Sequence, residues 1–147
     1  MPVDANDHQK SRLYDAEDEA FKHEQRATLA ELQAKADEIV ACGWWTQRYG
    51  QRKWKVKDGR GQKNACACHD RVSGLFPRST RYQAVLVHEM AHTCDPTGTE
   101  DHGAVFAALM LFFVGNVYSP NAKRRLAAAY RKHEVVWDRL IARTGKP

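Results

Sequence analysis

Four stretches of the chain place apolar residues at the spacing of an α-helix. The first runs from about residue 8 to residue 40 without glycine or proline, and it predicts a long N-terminal helix, or two helices with a break. The others are Ser79–Cys94, with Ser79 as its N-cap, His102–Val114, and about 121–143. Gly115 is expected to end the third of these helices.

Between the first two helical stretches the pattern changes to that of short strands. Trp44, Trp45 and Tyr49 are residues that favour strands, and residues 54–57 alternate apolar with polar side chains. Residues 64–69 and 72–76 are interpreted as two further short strands. The sequence therefore predicts an α+β fold, with a small, mostly antiparallel sheet of three or four strands packed on helix 79–94 and long helices at both termini.

Length and composition indicate a single globular domain spanning residues 1–147. The chain is 43% hydrophobic and 28% charged, which is typical of soluble proteins. No apolar run approaches the roughly 20 residues of a membrane helix, so no membrane partner is expected. Residues 1–7 are polar, are expected to be disordered and carry no export signal, so a cytoplasmic protein with four free cysteines is predicted.

Positive charge is concentrated in two segments, 48–63 and 123–143. In the first segment basic residues alternate with aromatic ones, a combination that can bind single-stranded nucleic acid by charge and stacking. The same alternation describes a sheet with one buried aromatic face and one solvated basic face, which is the favoured interpretation. Nucleic acid is therefore a candidate partner that would bind these two segments.

The stretch that carries recognisable chemistry is His88-Glu89-Met90-Ala91-His92. Residues four apart on a helix lie on one face, so the imidazoles of His88 and His92 are expected to converge on one point. Glu89 lies beside them. This is the helical zinc-binding motif of metallopeptidases, in which the glutamate is the general base for a water activated by the metal.

A catalytic zinc ion needs about three protein ligands and one open position. Spacing excludes the metzincin pattern, because Asp95 stands where that pattern requires glycine. Five residues are candidates for the third ligand: His102, Glu100, Asp101, His133 and Glu134. His102 is favoured, because it lies close in sequence, at the expected start of a helix, and is followed by Gly103.

A second metal site is conceivable at Cys66-Ala67-Cys68-His69. The more economical interpretation is that the two cysteines lie on one face of a strand and are simply buried.

Residues 88–110 resemble the SprT-like metallopeptidases, whose pattern is HExxH, a loop, and then His-Gly-x-x-Phe or Trp. Here the second part is His102-Gly103-Ala104-Val105-Phe106, after a short loop of nine residues. The resemblance implies a zincin-like fold with His88, His92 and His102 as zinc ligands and Glu89 as the catalytic residue. The whole chain, including residues 9–17, is also similar to a family of small metallohydrolases of actinobacteria and their phages, which implies no particular substrate.

The resulting hypothesis is a zinc-dependent metallopeptidase that acts on a protein or peptide. Candidate donors to the oxyanion are Tyr118, Tyr130 and His133. The strand 72–76 is the expected sheet edge on which an extended peptide pairs. The substrate-binding residues themselves are not predicted.

Three alternatives remain at this point. The first alternative is a metal-dependent hydrolase of a non-peptide bond. The second is a regulatory or nucleic-acid-associated zinc domain with little turnover. In the latter case a fourth ligand such as Cys94 closes the site. The third alternative is a chance match in which both histidines of the motif are ordinary core residues.

Overall fold

The structure is a computed structural model that describes residues 8–51 and 53–147. The described residues form a three-stranded sheet and seven α-helices, so the fold class is α+β, as predicted. The prediction of disorder for residues 1–7 lies outside the described residues. The elements are α1 Lys10–Ala20, α2 Leu29–Ala41, α3 Gly43–Tyr49, β1 Lys55–Asp58, β2 Cys66–Ala67, β3 Ser73–Phe76, α4 Gln83–Cys94, α5 Ala104–Val117, α6 Pro120–Lys132 and α7 Arg139–Thr144.

The chain divides into two compact units. The central unit is Glu24–Glu100 and contains the sheet with α2, α3 and α4. The terminal unit combines the described residues up to His23 with Asp101–Pro147, and contains α1, α5, α6 and α7. The long helix predicted over residues 8–40 is accordingly two helices, α1 and α2, which belong to different units.

The sheet of the central unit is mixed rather than mostly antiparallel. Its strand order is β1-β3-β2, with β1 parallel to β3 and β2 antiparallel to β3. Parallel pairing requires a connection of about a dozen residues or more, and residues 59–72 provide it while also contributing β2. Because β3 is the middle strand, the prediction that residues 72–76 form a free sheet edge is wrong.

Helix α2 begins at a local signal that the sequence carries. The Thr28 hydroxyl accepts a hydrogen bond from the Glu31 backbone at 3.1 Å, and the Glu31 carboxylate accepts one from the Thr28 backbone at 3.1 Å. This reciprocal capping box fixes the start of a helix. It explains why the apolar pattern of residues 8–40 does not form one continuous helix.

Trp44, Trp45 and Tyr49 lie in helix α3 and not in a strand, so that prediction is wrong. Trp45 is fully buried, and its indole Nε1 donates to the Gln51 carbonyl at 2.7 Å. Gly50 then ends the helix in the left-handed conformation with φ of 70°. Aromatic residues are frequent in strands mainly because they pack well there. In this protein a short helix buries the Trp45 side chain equally well.

The sheet packs on α4 through β2 and β3, while α2 packs beside β1. Gln33 of α2 joins the helix to the strand, since its amide donates to the Trp54 carbonyl and accepts from the Val56 backbone, each at 2.8 Å. The predicted packing of a small sheet on helix 79–94 is thus confirmed.

The terminal unit is built around α5, which contacts both α6 and α7. Residues 106–114 of this helix are all buried, as expected of a helix that is apolar on every side. Gly115 lies inside α5, which continues to Val117, so it does not end the helix.

The C-terminal helix predicted over residues 121–143 is interrupted. Helix α6 ends at Lys132, and α7 begins at Arg139 after the Asp138 side chain accepts from the Ile141 backbone at 3.0 Å. Glu134 adopts a positive φ of 58°, and the Val135 backbone donates to the Tyr130 carbonyl at 2.8 Å. This is the pattern of a helix C-terminus, formed here without the glycine that usually marks it.

Candidate metal centre

Helix α4 brings His88 and His92 together, as their spacing predicts. Both side chains are buried, and their Nε2 atoms lie 3.1 Å apart. The ring centroids are 4.8 Å apart, with an interplanar angle of 69°. The two imidazoles therefore direct the same nitrogen at one point, from adjacent turns of one helix.

The start of α4 is fixed by a distant residue and not by Ser79. The Glu24 carboxylate accepts a hydrogen bond from the Ala84 backbone at 2.6 Å, and the helix begins at Gln83. A carboxylate at a helix N-terminus satisfies a backbone donor and interacts favourably with the helix dipole. Residues 78–80 form a separate turn of 3-10 helix. A cap 60 residues away in the sequence gives no local signal.

Interactions within the central unit also hold the segment that follows α4. Arg71, at a positive φ of 64°, donates from its guanidinium to the Asp95 carbonyl at 2.7 Å. The Asp95 carboxylate accepts from the backbone of Thr97 at 2.8 Å and from its hydroxyl at 2.6 Å. Thr99 Oγ1 lies 3.3 Å from His69 Nδ1. The chain therefore leaves α4 along a path that these hydrogen bonds define.

His102 lies two residues before α5 and not in its first turn. It is buried, with 3% of its surface exposed. Its imidazole packs against the rings of Tyr14 and Phe106, with centroid distances of 5.3 Å and 5.4 Å. Its backbone carbonyl accepts a hydrogen bond from the Gln9 side chain at 2.9 Å.

The ligand nitrogens of His88, His92 and His102 all lie within 4.8 Å of one another, and all three residues are buried. These three histidines could hold a metal ion. Over residues 8–51 and 53–147, no other group of three histidine, cysteine or acidic residues has this proximity. The remaining candidates for the third ligand, which are Glu100, Asp101, His133 and Glu134, do not belong to the group.

Glu89 lies next to His88 on α4 and is 4% exposed. Burial raises the pKa of the Cys66 thiol on β2, and the negative charge of Glu89 raises that pKa further. The carboxylate and the β2 strand are thus close enough to interact electrostatically. Strand β2 also packs on α4, the helix that carries Glu89.

Cys66, Cys68 and His69 do not form a second group of metal ligands in the described chain. All four cysteines are free thiols. Burial raises the pKa of the Cys94 thiol to about 12, which disfavours the thiolate form that binds metals. Cys94 is also not a member of the histidine group, so a site closed by this residue receives no support.

The three predicted oxyanion donors have other surroundings. Tyr130 is fully buried, with its hydroxyl 3.4 Å from the Ala107 carbonyl. Tyr118 packs on the Phe21 ring, and His133 Nε2 lies 3.6 Å from a Glu19 carboxylate oxygen. Tyr14, which was not among the predicted donors, is the tyrosine whose ring packs against His102.

Most basic side chains of the two predicted basic segments are exposed in the part of the chain that the structure describes. Lys53 and Lys55 are exposed next to the buried Trp54, in agreement with a half-buried strand region. In the C-terminal segment, Arg131 and Arg139 lie over the Trp137 ring at 5.6 Å and 5.1 Å. Among the described helices, none has both the length and the apolar character needed to cross a bilayer.

Comparison with known proteins adds no further assignment. No protein family, curated protein or solved structure matches this chain.

Proposed function

We propose that this protein is a zinc-dependent metallohydrolase, acting as a peptidase, with His88, His92 and His102 as ligands and Glu89 as general base. The observation that carries the proposal is the convergence of three buried histidine nitrogens within 4.8 Å. Buried imidazoles require polar partners, and one metal ion serves all three at once.

The donor set fits zinc. Imidazole is a common zinc ligand, and three protein ligands are typical of catalytic sites, where the fourth position is kept for water or substrate. Two imidazole nitrogens at about 2.05 Å from a tetrahedral ion are about 3.3 Å apart. The 3.1 Å between the Nε2 atoms of His88 and His92 is close to that separation.

Glu89 supplies the proton chemistry in this proposal. A zinc ion held by the three histidines would act as a Lewis acid and would lower the pKa of water towards neutrality. The Glu89 carboxylate accepts the proton of the attacking water and then donates it to the leaving nitrogen of the cleaved bond. Because Glu89 is 4% exposed, this proton transfer is shielded from bulk water.

The choice of a peptide bond rests on the resemblance of residues 88–106 to the SprT-like metallopeptidases. The position of β2 beside Glu89 agrees with it, because a strand next to a hydrolytic site can pair with an extended peptide. Since β3 is the central strand, β2 replaces residues 72–76 as the strand proposed for that pairing.

The metal site is tested by zinc content after purification and dialysis. The wild-type protein should retain close to one zinc ion per chain, and His88→Ala and His102→Ala should each lose it. His23→Ala is the matched control, since His23 is exposed and stands outside the histidine group. Full zinc retention by His102→Ala would overturn the proposed ligand set.

The role of Glu89 is tested by Glu89→Gln, which preserves the shape of the side chain and removes its basicity. This variant should bind zinc as the wild type does. It should lose cleavage of peptides that a proteome-derived library identifies as substrates. Unchanged cleavage by Glu89→Gln would show that another group is the base. If the zinc-loaded wild type cleaves no peptide in the library, the peptidase assignment fails, while the zinc site stands.

A further inference from the structure

Gln9 is a buried glutamine in the terminal unit, at the start of the stretch 9–17. It is the N-cap residue of α1 and only 5% of its surface is exposed. Its side chain makes three hydrogen bonds to backbone groups that lie far away in the sequence. The amide nitrogen donates to the carbonyls of His102 and Val136, each at 2.9 Å, and the amide oxygen accepts from the Val136 backbone at 2.8 Å.

The bond to His102 acts on a residue that no regular element holds. His102 precedes α5 by two residues, so the hydrogen bonds of that helix do not fix its backbone. The Gln9 amide fixes the carbonyl, while Tyr14 and Phe106 pack against the ring. Gln9 and Tyr14 both come from the start of the described chain, which therefore orients this histidine through backbone and ring together.

The paired bonds to Val136 hold the Gln9 amide in place. An amide that donates to and accepts from the same residue has a fixed orientation, so its remaining hydrogen points at one target. That target is the His102 carbonyl. The bond from Gln9 to the His102 carbonyl is buried, so water does not compete for it and its loss carries a cost in free energy.

We propose that Gln9 is a positioning residue for His102 in metal binding. The inference rests on the proposed function, since it requires that His102 is a ligand. A ligand on an irregular segment binds metal well only if its backbone is held before the ion arrives. Residues that orient a ligand typically contribute about 10–100-fold to metal affinity, and Gln9 has the geometry for this contribution.

The test separates positioning from a general contribution to folding. Gln9→Glu keeps the length of the side chain and an acceptor for Val136, but it has no hydrogen to donate to His102. Gln9→Ala removes all three bonds. The matched control is Gln33→Ala, because Gln33 makes the equivalent paired bonds to Trp54 and Val56 and none to the three histidines.

For each metal-depleted protein, zinc affinity is measured by competition with a chromophoric chelator, and stability by denaturant unfolding. Gln9→Ala and Gln9→Glu should bind zinc about 10–100-fold more weakly than the wild type. Gln33→Ala should lose stability but retain zinc affinity. If Gln9→Ala does not fold, Gln9→Glu alone decides the outcome. If neither folds, Tyr14→Ala, which removes the ring contact with His102, must weaken zinc binding, or the orienting role of this segment is refuted.

Three results would overturn the inference. Gln9→Glu or Gln9→Ala could bind zinc as tightly as the wild type, or Gln33→Ala could lose as much affinity as they do. The third is a cobalt-substituted Gln9→Ala whose visible spectrum and cobalt affinity both equal those of the wild type. A wild-type protein that binds no zinc would instead refute the proposed function, so the two failures are distinguishable.

Discussion

Trp54 donates an indole hydrogen bond to the hydroxyl of Thr93 at 3.1 Å, and Thr93 follows His92 directly in α4. Both side chains are buried, and the Thr93 hydroxyl in turn donates to the Met90 carbonyl at 2.6 Å. Trp54, the residue before β1, is thereby hydrogen-bonded to the last turn of α4. The bond thus links the region of the sheet to α4 within the central unit.

Thr93→Val should destabilise the protein by about 1–3 kcal/mol, because it keeps the shape of the side chain but leaves the buried Trp54 N–H without its acceptor. A double-mutant cycle with Trp54→Phe should give a coupling energy of about 1 kcal/mol. Denaturant unfolding of the metal-depleted proteins provides the four free energies. Strictly additive effects would mean that the indole–hydroxyl bond contributes nothing.

Zinc should stabilise the folded protein in proportion to its binding. A ligand that binds only the folded state at 100 times its Kd contributes about 2.7 kcal/mol, which corresponds to about 5–10 °C in Tm for a chain of this size. Thermal unfolding of metal-depleted wild type, with and without zinc, measures this shift. His92→Ala should show a shift near zero. An equal shift in both proteins would place the bound zinc elsewhere.

Gly74→Ala should destabilise the central unit by about 1–3 kcal/mol. A Cβ at this position of β3 would lie 2.7 Å from Cη2 of Trp54, whose ring is 1% exposed and held by Thr93. Gly43→Ala is the control, since its Cβ would meet nothing closer than 4.0 Å at the start of α3. The urea midpoint of Gly74→Ala should therefore fall below that of the wild type. The midpoint of Gly43→Ala should equal or exceed the wild-type value.

Tyr130 should reduce stability at high pH. Burial raises the pKa of its phenol well above the ordinary value, and the nearby charge of Glu17 raises it further. Above about pH 10 the unfolded chain ionises this group while the folded protein keeps it neutral, so the free energy of unfolding falls as pH rises.

Tyr130→Phe should remove that part of the alkaline loss. Denaturant unfolding of both proteins at pH 8 and pH 11 measures it, and the difference between wild type and variant should grow in favour of Tyr130→Phe at the higher pH. Parallel pH profiles would contradict the buried neutral phenol.

The sequence predicted the parts of the site that depend on local spacing. His88 and His92 are four residues apart, and helix geometry alone brings them together. His102 was favoured for its closeness in sequence and by the resemblance, whereas its contacts are made with Gln9 and Tyr14, which lie far away in the sequence. Neither contact can be predicted from the spacing of the histidines in the motif.

The errors in the predicted elements have the same origin. The break after α6 contains no glycine or proline, and Val136 pairs there with Gln9, which is 127 positions away. The start of α4 depends on Glu24 in a similar way. The start of α2 differs from these two cases. Its capping box of Thr28 and Glu31 is a local pattern in the sequence.

The terminal unit draws on both ends of the described chain, and this bears on the order in which the protein can assemble during translation. The central unit, with His88 and His92, is complete in sequence once the ribosome has passed Glu100. The unit that contains His102 and Gln9 has to wait for α6 and α7, which are synthesised a few seconds later at about 5–20 residues per second. We therefore expect nascent chains arrested before α6 to expose α5, the most apolar helix, and to need a chaperone more than the finished protein does.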